Sequence, residues 1–254
     1  MKICMASVST LRNNLSVLSK CPYFLESFYY IQEWLIPYAK KAELFLLDSG
    51  AFTFMSSKTN KDNVDFEQYL DEYISFINKH DVKYFFELDI DSVVGYEEVK
   101  RLRRKLEAKT GKKCIPVWHK SRGLEEWKKM CEEYDYVAIG GIVTKEIKQK
   151  EYLILNKLID IAHKEGCLVH GLGFTHTQYI KIVNFDSVDS TTWTYGQRYA
   201  LGYYFQKNTI KMKARKQNQK LKKERVYDLS LNNFNEWIKY QYYMDKVWVR
   251  KENK

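Results

Sequence analysis

Short apolar runs alternate with longer amphipathic stretches along this chain, and that alternation constrains its fold more than any other feature. The runs cover residues 2–8, 43–48, 82–89, 113–118, 134–139, 167–170 and 185–188. Each is short and apolar throughout, as strands covered on both faces of a parallel sheet must be. Helical periodicity falls near residues 23–40, 65–79, 96–107, 124–133 and 151–164. Strand and helix at this pitch make right-handed βαβ units. Seven strands are visible. An eighth would close an α/β (β/α)8 barrel of TIM type, and an open doubly wound sheet is the competing arrangement. A chain of 254 residues, 45% of them apolar, can fill one such core, and three prolines and eleven glycines leave no long linker.

Beyond Trp193 the pattern changes. Residues 195–206 read as an aromatic-rich helix, and residues 231–248 as a further helix with Phe234, Trp237, Ile238 and Tyr242 on one face. The expected organisation is therefore a barrel over 1–206 and a basic, helical extension over 207–254. Between the two helices lie Lys207, Lys211, Lys213, Arg215, Lys216, Lys220, Lys222, Lys223 and Arg225, against the single acid Glu224. They account for most of the net charge of +10. Such a patch suits a polyanion such as nucleic acid; a solvated basic helix is the plainer alternative.

The five cysteines, Cys4, Cys21, Cys114, Cys131 and Cys167, are odd in number and far apart, which fits small buried side chains better than disulfides or a zinc site. No run reaches ~18 apolar residues, so no membrane span is expected. The apolar run at residues 3–8 is too short for a secretory signal, and a cytoplasmic protein is expected.

In a parallel barrel, chemistry collects at the carboxyl ends of the strands. Those ends carry Asp48-Ser49-Gly50-Ala51-Phe52, Glu87-Leu88-Asp89, Trp118-His119, Gly140-Gly141-Ile142, His170-Gly171-Leu172-Gly173 and Asp189-Ser190. Any one of these Asp residues could simply cap the next helix, the reading given to Asp91 and Asp186. Three at one rim point to a site instead. The glycines would let a planar ligand reach the backbone, and Phe52 and His170 would offer faces for its ring. No glycine-rich phosphate loop is present, and His119 and His170 lack metal-ligand spacing, so neither cofactor nor metal is expected.

This ordered set resembles the tRNA-guanine transglycosylase family, and more closely its small phage and bacterial relatives that place 7-deazaguanines in DNA. The family's Asp-Ser-Gly-Gly-aromatic motif is similar to 48–52, with Ala51 at the second Gly. Its base-reading Asp resembles Asp89. Its Gly-Gly-Leu element resembles Gly140-Gly141-Ile142, and its Met-Gly-Val-Gly segment resembles 170–173. Its nucleophilic Asp resembles Asp189, with Asp186 a competing match. The likeness spans roughly residues 42–193. Two features depart from it. A base-reading Gln is replaced by Trp118 beside His119, and the zinc-binding cysteines are absent.

The resemblance implies exchange of guanine for a free 7-deazaguanine through a covalent Asp189–sugar adduct. Asp48 would be the general acid and base, and Asp89 would read the purine edge. Ser49, Gly50, Phe52, Trp118, His119, Gly140, Gly141, Ile142, His170 and Gly171 would line the base. The basic segment would bind nucleic acid, DNA in preference to tRNA, and a homo-oligomer is left open. Rival readings are a tRNA enzyme without zinc, a barrel hydrolase or lyase on a small substrate, and a catalytically silent nucleic-acid-binding barrel.

Overall fold

The computed structural model describes residues 1–50, 53, 64–195, 201–213 and 223–252, with side chains from 228 to 247 in the last segment. Eight strands run in chain order: β1 (Lys2–Ala6), β2 (Tyr23–Ser27), β3 (Leu44–Asp48), β4 (Tyr84–Phe85), β5 (Val117–Trp118), β6 (Tyr136–Ile139), β7 (Leu168–Gly171) and β8 (Ser187–Ser190). Each pairs in parallel with its neighbour in sequence, and β8 pairs with β1. The remaining edges, β4 and β5, meet through a parallel bridge, Phe86 to Ile115. Two peptide hydrogen bonds cross there: Glu87 N–H to Ile115 at 3.1 Å and Ile115 N–H to Phe85 at 2.8 Å. The ring is therefore a (β/α)8 barrel. Among the described residues no helix is long and apolar enough to cross a membrane.

The eighth strand corrects the reading of residues 23–40 as one helix. Tyr23–Ser27 is a strand, followed by a short helical turn, Ile36–Ala39. Tyr23 and Leu25 face the barrel interior and Phe24 packs outside it, so the segment is apolar on both faces. A strand buried on both sides merges with the apolar turn after it into a spacing that imitates a helix.

Five helices of ten or more residues are described: α1 (Phe66–His80), α2 (Tyr96–Thr110), α3 (Gly123–Glu133), α4 (Leu155–Lys164) and α5 (Lys223–Glu252). The expected starts of the first three hold to within a residue. At α1, Asp65 caps the helix by accepting the Gln68 N–H at 3.0 Å.

Strand alternation sorts the barrel into two cores. Cys4, Ala6, Tyr23, Leu25, Leu44, Leu46, Phe86, Ile115, Val117, Tyr136 and Ala138 pack together inside the ring. Their odd-even partners face the helices. On β7 and β8 the interior positions are His170 and Ser187, both buried. The filling is thus apolar on six strands and polar on two. All five cysteines are free and buried, as expected.

Residues 202–206 are not helical. They form β9 (Gly202–Gln206), antiparallel to β10 (Thr209–Lys213). The turn between them, Lys207 and Asn208, has both residues at positive φ, 52° and 61°. That is the geometry of a two-residue hairpin turn, here without the glycine that usually announces one. The position expected to divide barrel from extension, 206/207, falls in this turn. Asn233 of α5 ties the hairpin down: its carbonyl accepts Tyr203 N–H at 2.8 Å and its amide donates to Leu201 at 2.9 Å. On α5, Phe234, Trp237 and Ile238 are buried as expected, together with Tyr240, Gln241 and Met244; of the face expected, Tyr242 alone is exposed. Gln241 donates to the backbone carbonyls of Ile3 and of Tyr23, the latter at 2.9 Å.

Candidate active site

Asp48, Asp89 and Asp189 all reach the same mouth of the barrel. Asp48 continues the inward-facing series Leu44, Leu46, and Asp189 the series beginning at Ser187. Asp186 lies at the opposite end of β8. It accepts from Val169 N–H at 2.7 Å and His163 at 2.9 Å, a structural task. The competing match is thereby separated from Asp189 by the length of the strand.

Asp48 accepts the Gly50 N–H at 2.9 Å. Gly50 has φ +80°, and a Cβ there would meet Tyr29, Ser27 and Tyr69 within 2.9 Å, so the tight turn that caps Asp48 requires glycine. Burial pushes the Asp48 carboxyl up to about 6; the Gly50 N–H opposes this, and the charges of Asp189 and Asp89 add to it. Ser49 is buried, its hydroxyl without a hydrogen-bond partner among the described residues, and its carbonyl accepts from Tyr69 at 2.6 Å. Behind Asp48, burial pushes the Glu26 carboxyl up to about 7, against hydrogen bonds from Ser9 and Ser27.

Asp189 Oδ1 accepts the Gly173 N–H at 2.6 Å and lies 3.3 Å from His170 Nε2. The His170 ring is wholly buried beneath it, edge-on to Phe86 at 5.4 Å. It is therefore no stacking face for a ligand, which corrects that expectation. An inward-facing residue two positions below the rim is covered by the residue above it. Phe52, its supposed partner, lies outside the described residues.

Asp89 faces a different setting. Both its oxygens lie 2.9–3.0 Å from His119 Nε2, and His119 Nδ1 lies 3.0 Å from Glu146. Burial alone would lower the imidazole, but the two carboxylates outweigh it and hold His119 up to about 9. Arg122 sits 2.9 Å from Asp91 and 3.6 Å from Asp89. Beneath them Glu87 is fully buried, 2.7 Å from Arg103 and 3.4 Å from Arg122. Burial pushes the Glu87 carboxyl up and the two guanidiniums oppose that. Glu87 also accepts the Val117 N–H at 2.8 Å, and Arg122 donates to the Val117 carbonyl. Ligand atoms of Asp89, Asp91 and His119 lie within 4.8 Å of one another, the spacing of a cation site. Arg122 and the His119 imidazolium already supply positive charge there.

Three expected base contacts are corrected by this cluster. Trp118 points outward, 5% exposed, stacks edge-on against Trp127 at 5.5 Å and donates to Gly123. Alternation sends only one of Trp118 and His119 inward, and it is His119. Gly140 and Gly141 make room for protein rather than for a ligand. A Cβ on Gly140 would come within 2.7 Å of His119, and one on Gly141, at φ +76°, within 2.6 Å of Glu146. Gly171 is filled likewise by the Phe185 ring at 2.9 Å, and the Ile142 side chain is buried in the outer core. Glu146, Arg122, Glu26 and Ser187 escaped the sequence reading. Glu146 and Arg122 end no apolar run, Glu26 ends one inside the segment expected to be a helix, and Ser187 is buried in the barrel beneath the mouth.

Of the basic residues, Lys207, Lys211 and Lys213 fall on the hairpin beside the β7–β8 side of the mouth. A cleft of about 430 Å³ separates the hairpin, through Tyr203, Ile210 and Met212, from Gly173, Thr175 and Thr192. Lys207, Lys211 and Lys213 are exposed on the hairpin, on strand and turn rather than helix. Lys223 and Arg225 belong to α5. Arg215, Lys216, Lys220 and Lys222 lie outside the described residues.

Among solved structures, the chain is similar to a putative fructose-1,6-biphosphate aldolase from Coccidioides immitis. The TM-score is 0.53 at 12% identity, over 97% of this chain and 87% of that one. The likeness concerns the barrel fold. No protein-family model matches the chain, and no curated protein matches it.

Proposed function

We propose that this protein is a transglycosylase that exchanges guanine in nucleic acid, DNA before tRNA, for a free 7-deazaguanine. The observation that carries the reading is the pair Asp48 and Asp189, two carboxylates at one barrel mouth in unlike environments. Such a pair divides acid–base and nucleophilic work. Asp189 is held at the mouth by the Gly173 N–H and the buried His170, the setting of a positioned nucleophile. Asp48, raised to about 6, is poised to give and take a proton near neutrality.

In this reading an Asp189 oxygen bonds to C1′ as the bond from C1′ to the guanine nitrogen breaks. The electron pair leaves with guanine, which takes the proton of Asp48. The incoming base gives its ring N–H proton to Asp48, attacks C1′, and displaces the Asp189 carboxylate. Each Asp89 oxygen has a lone pair left after binding His119, enough to accept from the purine N1–H and exocyclic amine. The exposed lysines of the hairpin, across the cleft from Gly173, suit phosphates flanking the target nucleotide. No cofactor is called for, because one glycosidic bond replaces another.

The test offers radiolabelled guanine with single-stranded DNA, duplex DNA and tRNA in separate reactions. Label entering DNA supports the reading. Label entering only tRNA assigns the tRNA enzyme, and no label in any polymer overturns base exchange altogether.

A further inference from the structure

We propose that His170 is a positioning residue that fixes which oxygen of Asp189 attacks. The inference rests on Asp189 being the nucleophile. Both donors that reach this carboxylate, Gly173 N–H at 2.6 Å and His170 Nε2 at 3.3 Å, converge on Oδ1. Among the described residues none reaches Oδ2. The anchored oxygen is held and the other is presented.

The direction of the His170 proton follows from its neighbours. His170 pairs with Ser187 across β7 and β8, and its Nδ1 lies 2.5 Å from the Ser187 hydroxyl. That hydroxyl is in turn hydrogen-bonded to Tyr136 on β6. If Tyr136 donates to Ser187 and Ser187 to Nδ1, the ring proton sits on Nε2 and points at Asp189. The reversed chain would set a bare Nε2 lone pair against a carboxylate oxygen, two acceptors at 3.3 Å. Three strands thus supply one directed chain, Tyr136 to Ser187 to His170 to Asp189. As Oδ2 bonds to C1′ and guanine departs with its electron pair and the Asp48 proton, Oδ1 becomes the ester carbonyl. It keeps the same two donors, so the group need not turn between attack and release.

The experiment measures steady-state base exchange on single-stranded DNA for wild type, His170→Leu and His170→Gln. Losing the donor lets the carboxylate swing, so His170→Leu lowers kcat about 10- to 100-fold while both KM values stay within about twofold. Gln carries an N–H to a similar reach and recovers much of kcat. A folded His170→Leu protein with full kcat, or a loss confined to KM, overturns the proposal. Should His170→Leu fail to fold, ¹⁵N NMR of the histidine ring in wild type and Ser187→Ala takes its place. The wild type is expected to hold the Nε2–H tautomer and Ser187→Ala to mix the two; an Nδ1–H wild type overturns the proposal. Asp189→Asn separates this inference from the one beneath it. Exchange persisting in Asp189→Asn sinks the nucleophile, whereas an inactive Asp189→Asn beside a fully active His170→Leu sinks only the role of His170.

Discussion

On the β4–β5 side of the mouth, Glu87, Asp89, Asp91 and Glu146 meet Arg103, Arg122 and His119. On the β3–β8 side, Asp48 and Asp189 meet backbone N–H groups and one imidazole. The first side is a neutralised lattice in which nearly every charge has a fixed partner. The second is under-compensated: burial, and then the charge of Asp189, raise Asp48. A lattice of that kind holds a shape, whereas an under-compensated pair keeps protons mobile. Function is therefore expected to divide along the same line.

The largest break in this contrast is Asp189→Asn. Base exchange is expected to fall by at least about 10³-fold, because the nucleophile is gone, with melting temperature little changed. The same substitution removes one of the charges holding Asp48 up, so the Asp48 carboxyl should titrate lower by ¹³C NMR. An unmoved Asp48 would mean that the two acids do not sense each other.

Next comes the lattice. Arg103→Met leaves Glu87 buried with half its compensation, which should cost roughly 3–5 kcal/mol in a denaturant titration. If that variant is as stable as wild type, the cluster is not holding the barrel.

A pH titration of stability sharpens the comparison further. His119 is raised above its unfolded value of about 6.5, so its contribution is full below that pH and lost as pH rises through about 9. Asp48 and Glu26 are acids raised above unfolded values of about 4. Their contribution is full below about pH 4 and lost as pH rises through about 6 and about 7. His119→Gln should remove the alkaline slope and leave the acidic one; a single slope that vanishes whole would merge the two sides.

The smallest effect lies at the hairpin. Lys211→Ala and Lys213→Ala should each weaken DNA binding alike across sequences and reduce the salt slope by about one. Salt-independent binding would remove the hairpin from the interface.

Seven of the eight strands were legible because apolar runs ending in polar residues are the signature of a parallel ring. Asp48 and Asp189 were legible as ends of those runs, since each shares the parity of inward-facing neighbours. The hairpin was hidden by its turn, where Lys207 and Asn208 take positive φ without a glycine to signal it. The true task of Gly140 and Gly141 was hidden for another reason. Their space is taken by Glu146 and His119, a contact visible only once the loops are folded over the mouth.

Between β4 and β5 the ring closes through a single bridged pair, Phe86 and Ile115, and beyond it side chains complete the closure. Glu87 takes the N–H of Val117 and Arg122 its carbonyl, where a longer ladder would use peptide groups. The barrel is in this respect a bracelet with a clasp, and the clasp is ionic. Its amide protons at Ile115 and Val117 should exchange with solvent ahead of those on β1 and β8. Whatever loosens the clasp also releases Asp89, so the edge proposed to read the base and the seam that shuts the ring open together.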